Sequence, residues 1–225
     1  MTTVPPEPCL NLCFHGIGAP ARELEPGEAP YWIGTELFHR ILDEVADDPR
    51  VRLSFDDGNA SDAETGLPAL LERGLSATFF VLAGRLDQDG SLSRDQVLQL
   101  QQRGMRIGTH GMDHRPWRRM DPAVRERELV TARDRLEILL GEPVEDAALP
   151  LGRYDRALLR RLRSLGYRSV HTSDRRWARD GDWIQPRFSL RAGDTLDGLR
   201  TSVLRRPPLP HRARGELVGL AKRLR

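Results

Sequence analysis

The sequence predicts a parallel α/β fold in one domain. Short, apolar, β-prone runs alternate seven times with segments of helical spacing. Charged residues gather where those runs stop, and the carboxyl ends of the strands are where parallel α/β folds carry their sites. A chain of 225 residues can bury a full core as one unit. That unit is placed at 1–204, with a basic tail at 205–225.

Cys9 to Phe14 reads as the first strand, ended by His15 and Gly16. Residues 19–33, rich in Pro, Gly and Glu, form a loop whose Tyr31 and Trp32 are candidates for substrate contact. From Thr35 to Ala46, Leu37, Ile41, Leu42 and Val45 keep helical spacing, and Pro49 closes the segment. A second strand covers 51–55, and a helix runs from about Asp62 to Arg73, ended by Gly74. Ala77 to Leu82 is nearly all apolar, as a strand buried on both faces requires. Ser93 opens a helix that Gly104 ends, and Met105 to Thr109 follows as a strand. Asp121-Pro122 is an N-cap with proline in the first turn of a helix reaching Gly141, with Val124, Leu129, Ala132, Leu136 and Leu139 on one face. A short strand at Ala147 to Leu149, a helix at 155–165 and strands at Arg168 to Thr172 and Trp183 to Leu190 complete the chain.

Hydrophobic residues make up 39% and charged residues 30%, with a net charge of +2 spread through the chain, so no nucleic-acid partner is expected. No run approaches the length of a transmembrane segment, and the N-terminus lacks the basic region and apolar stretch of a secretory leader. A cytoplasmic location is therefore expected. Cys9 and Cys13 would stand about 13 Å apart on a strand, too far for a disulfide, and read as buried thiols. In the tail, Leu217, Leu220, Ala221 and Leu224 lie among basic residues, which suits either peripheral contact with a membrane or packing on the domain.

Two stretches carry chemistry. The run ending at Phe55 gives way to Asp56, Asp57 and Gly58. Neighbouring side chains on a strand point to opposite sides, so the two carboxylates share a face only if the backbone turns, which Gly58 allows. A plain turn, with Asp62 capping the next helix, accounts for the same residues. Fifty residues on, Ile107 to His114 ends in two histidines four apart. Two imidazoles and a carboxylate leave open positions on a metal such as zinc. Among six histidines that spacing arises by chance about one time in eight, so the pair is weak alone and stronger beside the acidic pair.

Ser54 to Gly58, Ala77 to Val81, Ile107 to His114 and Ala148 to Tyr154 together resemble the polysaccharide deacetylases, the NodB-homology or carbohydrate esterase 4 family, over about Leu10 to Leu190. The resemblance implies an incomplete, distorted (β/α)7 barrel. It also implies a metal-dependent hydrolase that removes N-acetyl groups from an N-acetylated sugar or glycan. A divalent ion, Zn2+ by preference, would be held by Asp57, His110 and His114, with Asp56 as general base and the backbone N–H of Leu151 donating to the oxyanion. The family usually keeps its general-acid histidine in a last strand, where this chain offers only His211 among prolines and arginines. His15 is the better candidate, because first and last strands of a barrel can adjoin. That motif order resembles the poly-N-acetylglucosamine deacetylases; the other reading makes His15 a turn residue.

Ala147, Ala148 and Leu149 stand where the family often has an arginine that orients the base. Either Arg187 takes over by pairing with Asp56, or the base is held less firmly. Trp117 could wall a sugar site or belong to the core. His39 and His171 are assigned structural roles, and Asp113 and Asp174 caps or supporting contacts. In the cytoplasm the substrate would be a glycan precursor, lipid-linked or nucleotide-linked. Rival functions are hydrolysis of another non-peptide C–N bond and carbohydrate binding by a pseudoenzyme of the same fold.

Overall fold

The computed structural model describes residues 7–205. Strand β1 (Pro8–Phe14) leads into a loop bracketed by the short parallel pair β2 (Gly16–Ile17) and β3 (Trp32–Ile33), then helix α1 (Thr35–Val45). Strand β4 (Val51–Asp56) is followed by a π-turn at Asp62–Gly66 and α2 (Leu67–Glu72), then β5 (Ala77–Val81), α3 (Arg94–Gln102) and β6 (Arg106–Thr109). Next come α4 (Pro122–Glu126), a π segment at Arg127–Thr131, and α5 (Ala132–Leu140). The remainder is β7 (Asp146–Ala148), α6 (Arg156–Ser164), β8 (Ser169–Thr172), β9 (Ala178–Arg179), β10 (Ile184–Ser189) and a helical turn, α7 (Leu196–Gly198).

Seven parallel strands form a ring in the order β1, β4, β5, β6, β7, β8, β10, closed by pairing of β10 with β1. The closing register sets Asn11 beside Arg187 and Cys13 beside Ser189. Thus the first and last strands do adjoin. The barrel is irregular in two places: a single register pair, Thr109 with Ala147, joins β6 to β7, and the antiparallel β9 stands between β8 and β10 where a helix would complete the pattern.

Outside the ring, α1 buries Phe38, Ile41, Leu42 and Val45, one stripe at helical spacing. Phe14, Phe55 and Phe79 stack in sequence, with centroids 5.1 and 4.6 Å apart, and join β1, β4 and β5 to that helix. Side chains alternate along a strand, so the residues flanking these rings face the interior of the barrel. Ser54 and Asp56 on β4, Asn11 on β1 and Gln185 and Arg187 on β10 make a polar interior, with Asn11 Nδ2 donating to Gln185 Oε1 at 3.0 Å.

Several expectations are amended. Asp62 does not cap a helix; it is fully buried in the π-turn, and the N-cap position is held by Ser61, whose hydroxyl accepts from Ile17 N–H at 3.2 Å rather than from the helix. The long helix to Gly141 is interrupted by a π segment, although Asp121 caps it as expected, accepting from Val124 N–H at 2.9 Å. Strands β2, β3 and β9 are too short to leave a periodic signal. Both cysteines are free and buried. Residues 206–225, including His211 and the apolar positions of the tail, lie outside the described residues. Among the described residues no helix is long and apolar enough to cross a membrane.

The weak β6–β7 seam depends on Gly108. A Cβ there would lie 2.5 Å from Phe80 Cδ1 and 2.9 Å from the Asp146 carbonyl oxygen. Gly108→Ala is expected to destabilise the protein by about 1–3 kcal/mol, the usual range for overpacking. Gly193→Ala, with open space around its Cβ, is the matched control. Denaturant midpoints measure both, and equal midpoints would refute the role given to the seam.

Candidate active site

The site gathers at the carboxyl end of the ring. Strand β4 delivers Asp56, and the chain then turns with Asp57 at φ 75° and Gly58 at φ 66°. The reversal thus begins at Asp57 itself rather than resting on the glycine alone. His114 and Leu151 also take positive φ, at 54° and 55°, conformations that non-glycine residues hold only when their surroundings impose them.

Asp57, His110 and His114 come together. His110 Nε2 lies 3.5 Å and His114 Nε2 3.4 Å from Asp57 Oδ1. That oxygen is buried, and no donor among the described residues is placed to hydrogen-bond it. Both imidazoles anchor the opposite nitrogen: His110 Nδ1 is 2.9 Å from the Ala148 carbonyl oxygen, and His114 Nδ1 is 2.6 Å from Glu25 Oε2. Two inward Nε2 atoms, each held by an acceptor on Nδ1, and a carboxylate oxygen without a donor form a set able to hold a divalent cation. Burial pulls the His110 imidazole down to about 4, against the pull of Asp56 and Asp57, so it is neutral and free to offer its lone pair.

Asp56 faces the interior of the barrel and takes both arms of Arg187, at 2.6 and 2.7 Å. Burial would push this carboxyl up, but the guanidinium, aided by His110 and His15, outweighs burial and holds it far below the usual carboxylate range. Arg187 also donates to Ser54 Oγ at 3.2 Å and lies over the Phe80 ring. Of the two readings of the sequence, Arg187 does pair with Asp56, reaching it from β10. His15 Nε2 stands 4.0 Å from Asp56 Oδ2, while His110 Nε2 stands 3.9 Å from the same oxygen. The His15 ring packs on Tyr31, with centroids 4.8 Å apart.

Other candidates fall elsewhere. Trp117 does not wall the site. It is 1% exposed, sits in a core cluster with Leu129, Tyr154 and Leu158, and donates to Glu128 Oε2 at 3.3 Å. Trp32 is likewise buried, its Nε1 donating to Glu28 at 3.2 Å. The Leu151 side chain is 57% exposed beyond Pro150, at the turn after β7. Asp113 is paired with Arg127 and Asp174 accepts from Tyr154 Oη, both supporting contacts.

A sequence profile described as polysaccharide deacetylase matches residues 43–170, more than half of the chain and the part containing Asp56, Asp57, His110 and His114. The chain belongs to the polysaccharide deacetylase family. A Bacillus subtilis protein described provisionally as a polysaccharide deacetylase, YxkH, is 23% identical over 124 residues, covering 55% of this chain and 44% of that protein. The chain thus matches less than half the length of that relative. Among solved structures, the Streptococcus pyogenes deacetylase PplD, in complex with acetate, superposes with a TM-score of 0.75 at 21% identity, over 89% of this chain and all of the other. IcaB from Ammonifex degensii gives 0.67 at 22% identity, over 87% and 95% of the two chains. A polysaccharide deacetylase from Bacillus cereus gives 0.76 at 16%, over 88% and 69%. At these identities the superpositions establish the shared deacetylase fold.

This polysaccharide deacetylase family member also carries acidic residues that the sequence reading passed over. Glu128, fully buried, accepts from the Met112 and Asp113 N–H groups at 2.9 and 3.1 Å and so shapes the turn between the two histidines. A Cβ on Gly111, at φ 90°, would lie 2.3 Å from that carboxylate. The available signal was a charge on the helical stripe Val124, Glu128, Ala132. Glu25 left no comparable pattern.

Asp62 is buried, and neither of its oxygens meets a hydrogen-bond donor among the described residues. Burial, with Asp57 adding, pushes its carboxyl well above the usual range. Its folded pKa thus exceeds the unfolded value of about 3.9, and this group's contribution to stability is lost as pH rises through the folded pKa. Asp62→Asn, which keeps the shape but removes the group that titrates, is expected to stabilise the metal-free protein at pH 7. The gain should shrink as pH falls through the unfolded pKa of about 3.9 and vanish below about pH 3, where both states protonate Asp62. Denaturant midpoints at the two pH values decide it; an equal gain at both would refute the assignment.

Proposed function

We propose that this protein is a metal-dependent deacetylase that hydrolyses the acetamide of an N-acetylated sugar or glycan, releasing acetate and a free amine. The observation that carries the reading is the juxtaposition of the donor set Asp57, His110 and His114 with a second pair, Asp56 and His15, beside it. Family membership and the names of two structural neighbours, the deacetylase PplD and the Bacillus cereus polysaccharide deacetylase, support the same chemistry.

Asp57, His110 and His114 would hold the ion, with Zn2+ favoured by a donor set of two imidazoles and one carboxylate. When bound, such an ion lowers the pKa of water and polarises the acetyl carbonyl. Asp56 accepts the proton that the attacking water gives up. Arg187 keeps Asp56 ionised and fixes its plane, at the cost of some basicity. The backbone N–H of Leu151, matching the family's donor position, stabilises charge on the carbonyl oxygen. As the C–N bond breaks, His15 donates a proton to the departing nitrogen, a role supported by its Nε2 standing 4.0 Å from Asp56 Oδ2.

The test is acetate release from an N-acetylated chito-oligosaccharide. Wild type should release acetate, lose activity on chelation and regain it with Zn2+. Asp56→Asn and His15→Ala should each lower the rate about 10²–10⁴-fold, the usual worth of general acid–base catalysis. Release only from small non-sugar amides would make it a different amidase, and sugar binding with metal present but no release would make it a binding protein.

A further inference from the structure

We propose that Glu25 is a positioning residue of the metal site, fixing the ring of His114 through Nδ1 and tying loop 19–33 to the ion-binding donors. This rests on the reading of Asp57, His110 and His114 as ligands. His114 turns Nε2 toward Asp57, so Nδ1 is its outward nitrogen, and that atom lies 2.6 Å from Glu25 Oε2. A neutral imidazole offering its Nε2 lone pair carries its proton on Nδ1, so the contact is Nδ1–H donating to the carboxylate. His110 is held in the same way, but by a backbone carbonyl. A carboxylate acceptor orients the ring and also raises its basicity as a ligand.

Glu25 is itself built into place. Its other oxygen accepts from Arg85, and its backbone N–H donates to Glu28 Oε2 at 2.8 Å. Glu28 pairs with Arg22 and accepts from Trp32 Nε1. Arg22 in turn reaches Asn59 Oδ1 with two N–H groups, at 2.8 and 3.2 Å, two residues beyond Asp57. The loop is therefore fastened to the β4 turn by Arg22 and to the β6 turn by Glu25. Glu25 thus holds the His114 ring from 89 residues away in sequence, beside a turn in which His114 itself has φ 54°.

The metal-free full chain is titrated with Zn2+ against a chromophoric chelator. Glu25→Ala should weaken Zn2+ binding about 10–100-fold, the usual effect of removing such a partner. Glu25→Gln, whose amide oxygen still accepts from Nδ1–H, should recover part of that loss. Metal-free Glu25→Ala and Glu25→Gln both lose the charge pair with Arg85, so similar denaturant midpoints for the two, with Zn2+ affinity recovered only in Glu25→Gln, separate ring positioning from general loss of structure. Equal Zn2+ affinity in wild type and both variants would overturn the role of Glu25 while leaving the ligand assignment standing. If wild type binds Zn2+ no better than His114→Ala, the ligand assignment falls and the role of Glu25 with it.

Discussion

A carboxylate and a guanidinium face each other inside this barrel with almost no water around them: Asp56 is 3% and Arg187 2% exposed. Removing two charges from water is costly, and the attraction between them offsets that cost only when the geometry is good and the remaining hydrogen-bonding capacity is used. Here the pair is bidentate and one guanidinium nitrogen also meets Ser54 Oγ, while the buried Nε meets no acceptor among the described residues. The cost therefore secures a fixed orientation and a fixed charge state. It also depends on ring closure, since Arg187 reaches Asp56 only because β10 lies against β1 and β1 against β4.

The same closure explains how the proposed catalytic set is divided along the chain. The stretch matched by the family profile holds the two aspartates and the two histidines, whereas His15 and Arg187 lie on either side of it. They are 172 positions apart, yet both approach Asp56, one at 4.0 Å and the other in direct contact. A motif displaced from the end of a chain to its start costs nothing in a closed ring, because the place it must reach is shared by the first strand and the last.

What could be read in the sequence divides along physical lines. All seven ring strands were placed to within a residue, although β7 and β10 carry polar residues rather than an apolar run, and Asp57, His110 and His114 were singled out because ligand chemistry restricts residue type; the structure brings those three together. Arg187 was one of two readings, raised because the resemblance left an arginine missing from the third motif, and the structure pairs it with Asp56. Trp117 was ambiguous, since an indole serves equally as core and as sugar platform, and the structure puts it in the core. The π segments, β2, β3 and β9 left no periodic trace, and Glu25 left none because its partner is set by a loop path, which no local pattern encodes.

That difference between strands and loops bears on how the site is held. Asp56, Asp57 and His110 sit at or just beyond strand ends and inherit their positions from the hydrogen-bonded ring, which tolerates little displacement. His114 lies four residues past His110, beyond the reach of β6, and under the proposed function a flexible ligand there would forfeit part of the affinity that preplaced donors provide. Two carboxylates compensate. Glu128 pins the intervening backbone through the Met112 and Asp113 N–H groups, and Glu25 meets the ring itself. One acts from a helix behind the turn and the other from a loop in front of it, so the most loosely tethered donor is the one most heavily supported.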